Sequence, residues 1–153
     1  DTMDNQQPNI SDFDLGWFCG VIDGEGCSGL WSRGGKRSSE YKPGLRLANT
    51  SKPLVDKFCL LLSALNVGHH ITHYGPRNER SKEYWAVTVE GFKRLSNLLP
   101  VIKDCLIEKK PQADLVWQWC SSRMSKSVRA PFDEIELSIP VQLSKLNHRG
   151  LRE

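Results

Sequence analysis

WFCGVIDGEGCSG, residues 17–29, places two acids, Asp23 and Glu25, between glycines at the end of an apolar run. The C-terminal end of a helix carries partial negative charge, so it favours glycine and a base. An acid there costs about 0.3–1 kcal/mol unless something positive offsets it. The residues ahead of the acids (Phe13, Leu15, Trp17, Phe18, Val21 and Ile22) are apolar nearly all round, which predicts a helix buried on several sides. Ser11, with Asp14 three residues on, gives that helix a capping-box-like start.

Outward from this helix the pattern alternates. CSGLWSR reads as a strand, GGKRSSEYKP as a loop, and GLRLAN as a second strand in which Leu45 and Leu47 alternate with Arg46 and Ala48. Thr50 or Ser51 caps the next helix, with Pro53 in its first turn, and LVDKFCLLLSALNVG runs to an Asn-x-Gly stop. HHITHY and EYWAVTV are two more strands around the turn GPRNERSK, with Trp85, Val87 and Val89 on one face. GFKRLSNLL is a helix stopped by Pro100, and VIKDCLIEKK and QADLVWQWCSS are helical pieces around Pro111. The basic linker SRMSKSVRA precedes an amphipathic stretch, DEIELSIPVQLSKLN, broken or kinked at Pro140.

The expected fold class is therefore α+β: α-β-β-α-β-β-α, an antiparallel sheet covered by helices on one face, plus C-terminal helices. The expected division is a disordered or extended segment over 1–10, the main domain over 11–122, and a basic linker with a helical tail over 123–153. A chain of 153 residues suits one such domain.

Charge is distributed unevenly. Residues 1–25 hold six acids and no Lys or Arg, while the remainder carries 21 bases against 12 acids. The bases gather on expected strands and loops (Arg33, Lys36, Arg37, Lys42, Arg46, Arg77, Arg80, Lys82), a pattern that suits contact with phosphates. No run of about 18 apolar residues is present, so no membrane partner is expected. The opening DTMDNQQPNISDFD resembles neither a secretory signal nor an Arg-rich transit peptide. Cys19, Cys27, Cys59, Cys105 and Cys120 are odd in number without a C-x-x-C pair, which favours reduced thiols and an intracellular setting over disulfides.

FCGVIDGEG, Phe18 to Gly26, resembles the signature of the LAGLIDADG homing endonucleases without gaps: Gly20, Ile22, Asp23 and Gly26 match it, and Val21 and Glu25 are conservative replacements. The element order is the one that family uses, and IEKKPQADLV is similar to its basic segment after the sheet. Phe18, Cys19 and Gly24 depart from the signature. One copy of the motif implies a homodimer, with two signature helices packed side by side. Cys19, Gly20 and Gly24 are the small residues for that seam, although Gly24 also suits simple helix termination.

The resemblance implies a metal-dependent, site-specific cut of both strands of a long, near-palindromic DNA duplex, by an enzyme that promotes mobility of its encoding intron. Glu25 stands where the family has its metal-binding Asp, so it is expected to be catalytic and to hold Mg²⁺ or another divalent cation, which would offset the helix-end acids. Asp23 reads as structural or as a hydrogen-bond partner of nearby backbone. Lys109, with Lys110 as the alternative, matches the family's active-site lysine. Asn49, or Thr50, matches a polar water-organising position.

An antiparallel ribbon fits the DNA major groove. Period-2 counting puts Trp31, Arg33, Arg46, His70, Thr72, Lys82 and Tyr84 on the DNA-binding face, with Lys36 and Arg37 in a phosphate-contacting loop. The rival reading is an RNA-splicing maturase with intron RNA as partner, or a non-cleaving nucleic-acid-binding protein of the same fold. An organelle (mitochondrion or chloroplast) or a prokaryotic or archaeal cytoplasm suits either. A calcium loop starting at Asp23 fails at Ser28 and Gly34, and no G-x-S-x-G or phosphate-loop motif is present.

Overall fold

In the computed structural model the chain runs α1 (Asp12–Glu25), β1 (Gly26–Ser32), β2 (Tyr41–Asn49), α2 (Lys52–Ala64), β3 (His70–Tyr74), β4 (Tyr84–Glu90), α3 (Phe92–Ile102), α4 (Lys110–Met124) and α5 (Glu134–Asn147). The structure describes residues 10–32, 41–127 and 129–147. The expected 1–10 segment, apart from Ile10, lies outside them.

The strands form one antiparallel sheet in the order β1-β2-β4-β3. Leu45 pairs with Val89 and Leu47 with Val87, and all four side chains are fully buried, so this face carries the helices. Phe58 and Leu62 of α2, Leu95, Leu98, Leu99 and Ile102 of α3, Val116 and Trp119 of α4, and Ile139 and Leu143 of α5 complete one core. The C-terminal helix thus shares the core of the rest.

Local chemistry explains the element ends. The Ser11 hydroxyl accepts from the Asp14 N–H at 3.1 Å and starts α1. Ser51, rather than Thr50, caps α2, accepting from the Leu54 N–H at 3.4 Å. Asn66 ends α2 in the left-handed region, φ 58°, with the Val67 N–H bonded to Leu62 O at 2.9 Å and the Asn66 N–H to Ser63 O at 3.0 Å.

Within this chain the first helix turns Phe18, Cys19 and Ile22 inward, while Phe13, Gly16, Gly20 and Gly24 are exposed. Three expectations are corrected. The second strand starts three residues early because Tyr41 packs edge-on against Trp119, with ring centroids 5.6 Å apart. Pro100 lies inside α3 rather than stopping it. Buried Leu98, Leu99 and Ile102 hold the last turn in place despite the missing N–H. Residues 103–109 form a turn, not a helical piece, and Pro111 sits in the first turn of α4, where its lack of an N–H is tolerated.

The junction of α4 and α5 is polar and buried. Arg123 and Glu136, with side chains 7% and 0% exposed, pair at 3.3 Å. Glu136 also accepts from Ser122 Oγ at 3.0 Å, Lys126 Nζ at 2.9 Å and the Asp133 N–H at 2.9 Å. The Asp133 carboxylate in turn accepts from the Glu136 N–H at 2.7 Å, closing a capping box.

Candidate active site and nucleic-acid interface

The two acids of the opening stretch have different surroundings. Asp23 is engaged by the turn ahead of α4: its Oδ1 accepts the Lys109 N–H at 2.9 Å, and its Oδ2 the Ile107 N–H at 2.9 Å. The C-terminal end of α1 thus meets the N-terminal end of α4, and the Asp23 charge sits where the second helix carries partial positive charge. Glu25 is exposed, and among the described residues its carboxylate has no hydrogen-bond or ion-pair partner. No base lies in the last turn of α1.

Lys109 comes to the same spot. Its Nζ donates to Gly26 O, the carbonyl next to Glu25, at 2.7 Å. Lys110, the alternative, turns away to Lys103 O at 3.2 Å and Asp104 at 3.3 Å. Gly26 pairs with Leu47, so Asn49, two residues further along β2, stands at the same end of the sheet. The Asn49 side chain is used locally, accepting from the Ser51 N–H at 2.8 Å just ahead of α2.

The register assembles the uncovered sheet face. Cys27, Arg46, Thr88 and His70 form one row across all four strands; Ala48, Ala86 and Thr72 form the next, and Tyr84 pairs with Tyr74 beyond it. Trp31, opposite Lys42, is on this face too. Trp31, Arg46, His70, Thr72 and Tyr84 therefore share one surface. Lys82 is exposed just before β4, in the hairpin turn rather than on the strand. Arg33, Lys36 and Arg37 lie outside the described residues. Lys42 pairs with Glu90 at 3.4 Å, whereas Arg46 is exposed with no ion pair among the described residues.

The expected seam divides. Gly20 and Gly24 are exposed, and a Cβ on either would meet nothing within 4 Å. Gly16, at the same four-residue spacing, is equally open and escaped the sequence reading, although the spacing was visible. Cys19 is corrected: it is 2% exposed and faces its own core, with Sγ 3.9 Å from Ile102 O. One residue from Gly20 is about 100° around a helix, which carries Cys19 off the stripe. Burial pushes its thiol well above the ordinary value, helped by Cys105 beside it.

No protein-family model and no curated protein matches the chain. Solved structures do. I-CvuI, a homing endonuclease in complex with the I-CreI target, superposes with a TM-score of 0.63 at 17% identity, over 92% of this chain and 86% of that one. The archaeal intron-encoded homing endonuclease I-Vdi141I, complexed with DNA, gives 0.67 at 16% identity, over 93% and 89%. The LAGLIDADG homing endonuclease I-SmaMI, bound to cleaved DNA, gives 0.60 at 17% identity; this chain is covered over 96% but accounts for 47% of that one. I-CvuI is described both with Mg, its DNA not cleaved, and with Ca. With its antiparallel sheet, helices on one face and the DGEG stretch at the end of the first helix, the chain has the fold of the LAGLIDADG homing endonucleases.

Proposed function

We propose that the chain is a site-specific, metal-dependent DNA endonuclease that works as a homodimer on a long, near-palindromic duplex. The observation that carries this reading is the contrast between Asp23, engaged by backbone N–H groups, and Glu25, exposed and without a partner among the described residues, with Lys109 Nζ on the carbonyl of the next residue, Gly26. A carboxylate without a protein partner at a helix end is a liability in a pure binding module. It suits a divalent cation, which takes oxygen ligands from one or two carboxylates together with phosphate oxygens and waters. When bound, such a cation supplies an activated water and charge stabilisation for in-line displacement at phosphorus.

The chain's own residues have separable roles. Glu25 provides the oxygen ligand. Lys109, with one N–H on Gly26 O, retains donors for a phosphate oxygen. Asn49 stands at the same end of the sheet, and its amide NH₂, left over from the bond to Ser51, would orient water there. Trp31, Arg46, His70, Thr72 and Tyr84 present an antiparallel surface of a shape that enters the major groove, with Lys82 at its rim. Gly20 and Gly24, with Gly16, leave α1 open for close approach by the same helix of a second subunit.

The test is cleavage selection from a randomised library of long duplexes with Mg²⁺, with EDTA as control and Glu25→Gln in parallel. Cuts of fixed stagger inside a near-palindrome, lost in Glu25→Gln while duplex binding persists, are the expected result. Binding without metal-dependent nicking at any site moves the protein to the maturase or binding-module reading.

A further inference from the structure

We propose, on the basis of the endonuclease reading above, that Asp23 is a positioning residue: it fixes the turn ahead of α4 so that the Lys109 ammonium stays at the end of α1, on the carbonyl of Gly26, next in the chain to Glu25. Lys109 is gripped twice by one short piece of chain. Its backbone N–H is 2.9 Å from Asp23 Oδ1, and its Nζ is 2.7 Å from Gly26 O, three residues further on. The Ile107 N–H completes the grip, at 2.9 Å from Oδ2 and 3.2 Å from Oδ1. Lys109 is the N-cap of α4 and has no side-chain cap bond; Asp23 instead holds the amides of the turn that leads into the helix.

Simple structural support is the competing account, and the geometry limits it. The preceding turn has its own bonds, from the Lys103 N–H to Leu99 O and from the Cys105 and Leu106 N–H groups to Ile102 O. Ile107 is 84% exposed, so water can take its amide when Asp23 releases it. Losing the carboxylate therefore leaves the fold standing and frees the direction of Lys109. Misplacement of a reacting group by about 1 Å costs on the order of 10²-fold in rate. A lysine on a long flexible stem needs such a grip more than a short side chain does.

The experiment pairs kinetics with hydrogen exchange in the full chain. Asp23→Ala is expected to lower kcat by about as much as Lys109→Ala, on the order of 10²-fold, with KM unchanged and no further loss in the double variant. Asp23→Asn, whose amide oxygen still accepts from both N–H groups, restores most of the rate. Asp23→Glu, which displaces the carboxylate by one methylene, does not. Exchange of the Ile107 and Lys109 amides is expected to accelerate in Asp23→Ala and Asp23→Glu and to stay slow in Asp23→Asn. Wild-type cutting by Asp23→Ala, a loss that multiplies with that of Lys109→Ala, or unchanged amide exchange overturns the proposal. If the wild-type chain cuts no duplex, the endonuclease reading fails, while the exchange data still decide whether Asp23 holds the turn. If Asp23→Ala does not fold, the Asn and Glu pair decides by the same two readouts.

Discussion

The indole of Trp31 lies over the α-carbon of Gly44 on the uncovered sheet face, so closely that a Cβ on Gly44 would overlap the six-membered ring. Gly44→Ala is therefore expected to expel the half-exposed indole into solvent. The stability cost is about 1–3 kcal/mol if the ring resists, and less if it swings away freely. Red-shifted tryptophan emission with a parallel loss of duplex affinity is the outcome to look for. Unchanged emission would sink the idea that Gly44 sets the aromatic surface.

Gly20 bears on association. Because a side chain there meets nothing in its own subunit, Gly20→Leu leaves the monomer folded and adds up to about 1 kcal/mol of helix stability. The same side chain wedges apart two helices packed along the stripe. On the proposed dimer, sedimentation at matched concentrations should show the wild-type chain as a dimer and the variant as a monomer. Equal association of the two removes the glycine stripe as the seam.

Glu136 is a fully buried carboxylate in a network of donors. Burial pushes its carboxyl up, but bonds from the Asp133 backbone, Lys126, Ser122 and Arg123 outweigh that and hold it below its ordinary 4.5. Glu136→Gln removes the buried carboxylate charge from the Arg123 and Lys126 pairs and should cost about 3–5 kcal/mol at neutral pH. A depressed carboxyl stabilises the fold above its unfolded value and loses that contribution as pH falls through the folded value. The gap in melting temperature between wild type and Glu136→Gln should thus be full near pH 7 and shrink below 4.5. A gap independent of pH contradicts the assignment.

Asn66 offers a control far from any chemistry. Asn66→Ala forces a Cβ-bearing residue without a compensating amide into φ 58° and should cost about 1–2 kcal/mol. Asn66→Gly should be neutral or mildly stabilising. Chemical denaturation of the three proteins distinguishes these outcomes.

Elements whose logic is local were legible in the sequence. Ser11, the Asn66 stop and the Leu45–Leu47 alternation each follow from a few neighbouring residues, and each recurs in the structure. The period-2 count carried Trp31, Arg46, His70, Thr72 and Tyr84 to one face because strand register has no freedom once Leu45 and Leu47 are buried. Long-range competition was not legible. Pro100 reads as a stop until three fully buried neighbours hold it in the helix. The offset for Asp23 lies in the turn ahead of α4, which no local pattern reveals. The Glu136 network was half visible, since Asp133 and Glu136 have capping-box spacing, but Arg123 is far enough away in sequence to read as solvated.

Strand β3 is exposed along its whole length, on both faces, and holds to the sheet by its pairing with β4 and by two stacked ring pairs, Tyr74 with Tyr84 and His73 with Trp85. Its residues contribute almost nothing to the core, so most substitutions there cost little folding free energy. His70 and Thr72 can therefore change identity, generation after generation, without endangering the scaffold. Substitution at this edge can thus reshape the uncovered face while Leu45, Leu47, Val87 and Val89 keep the sheet on its helices.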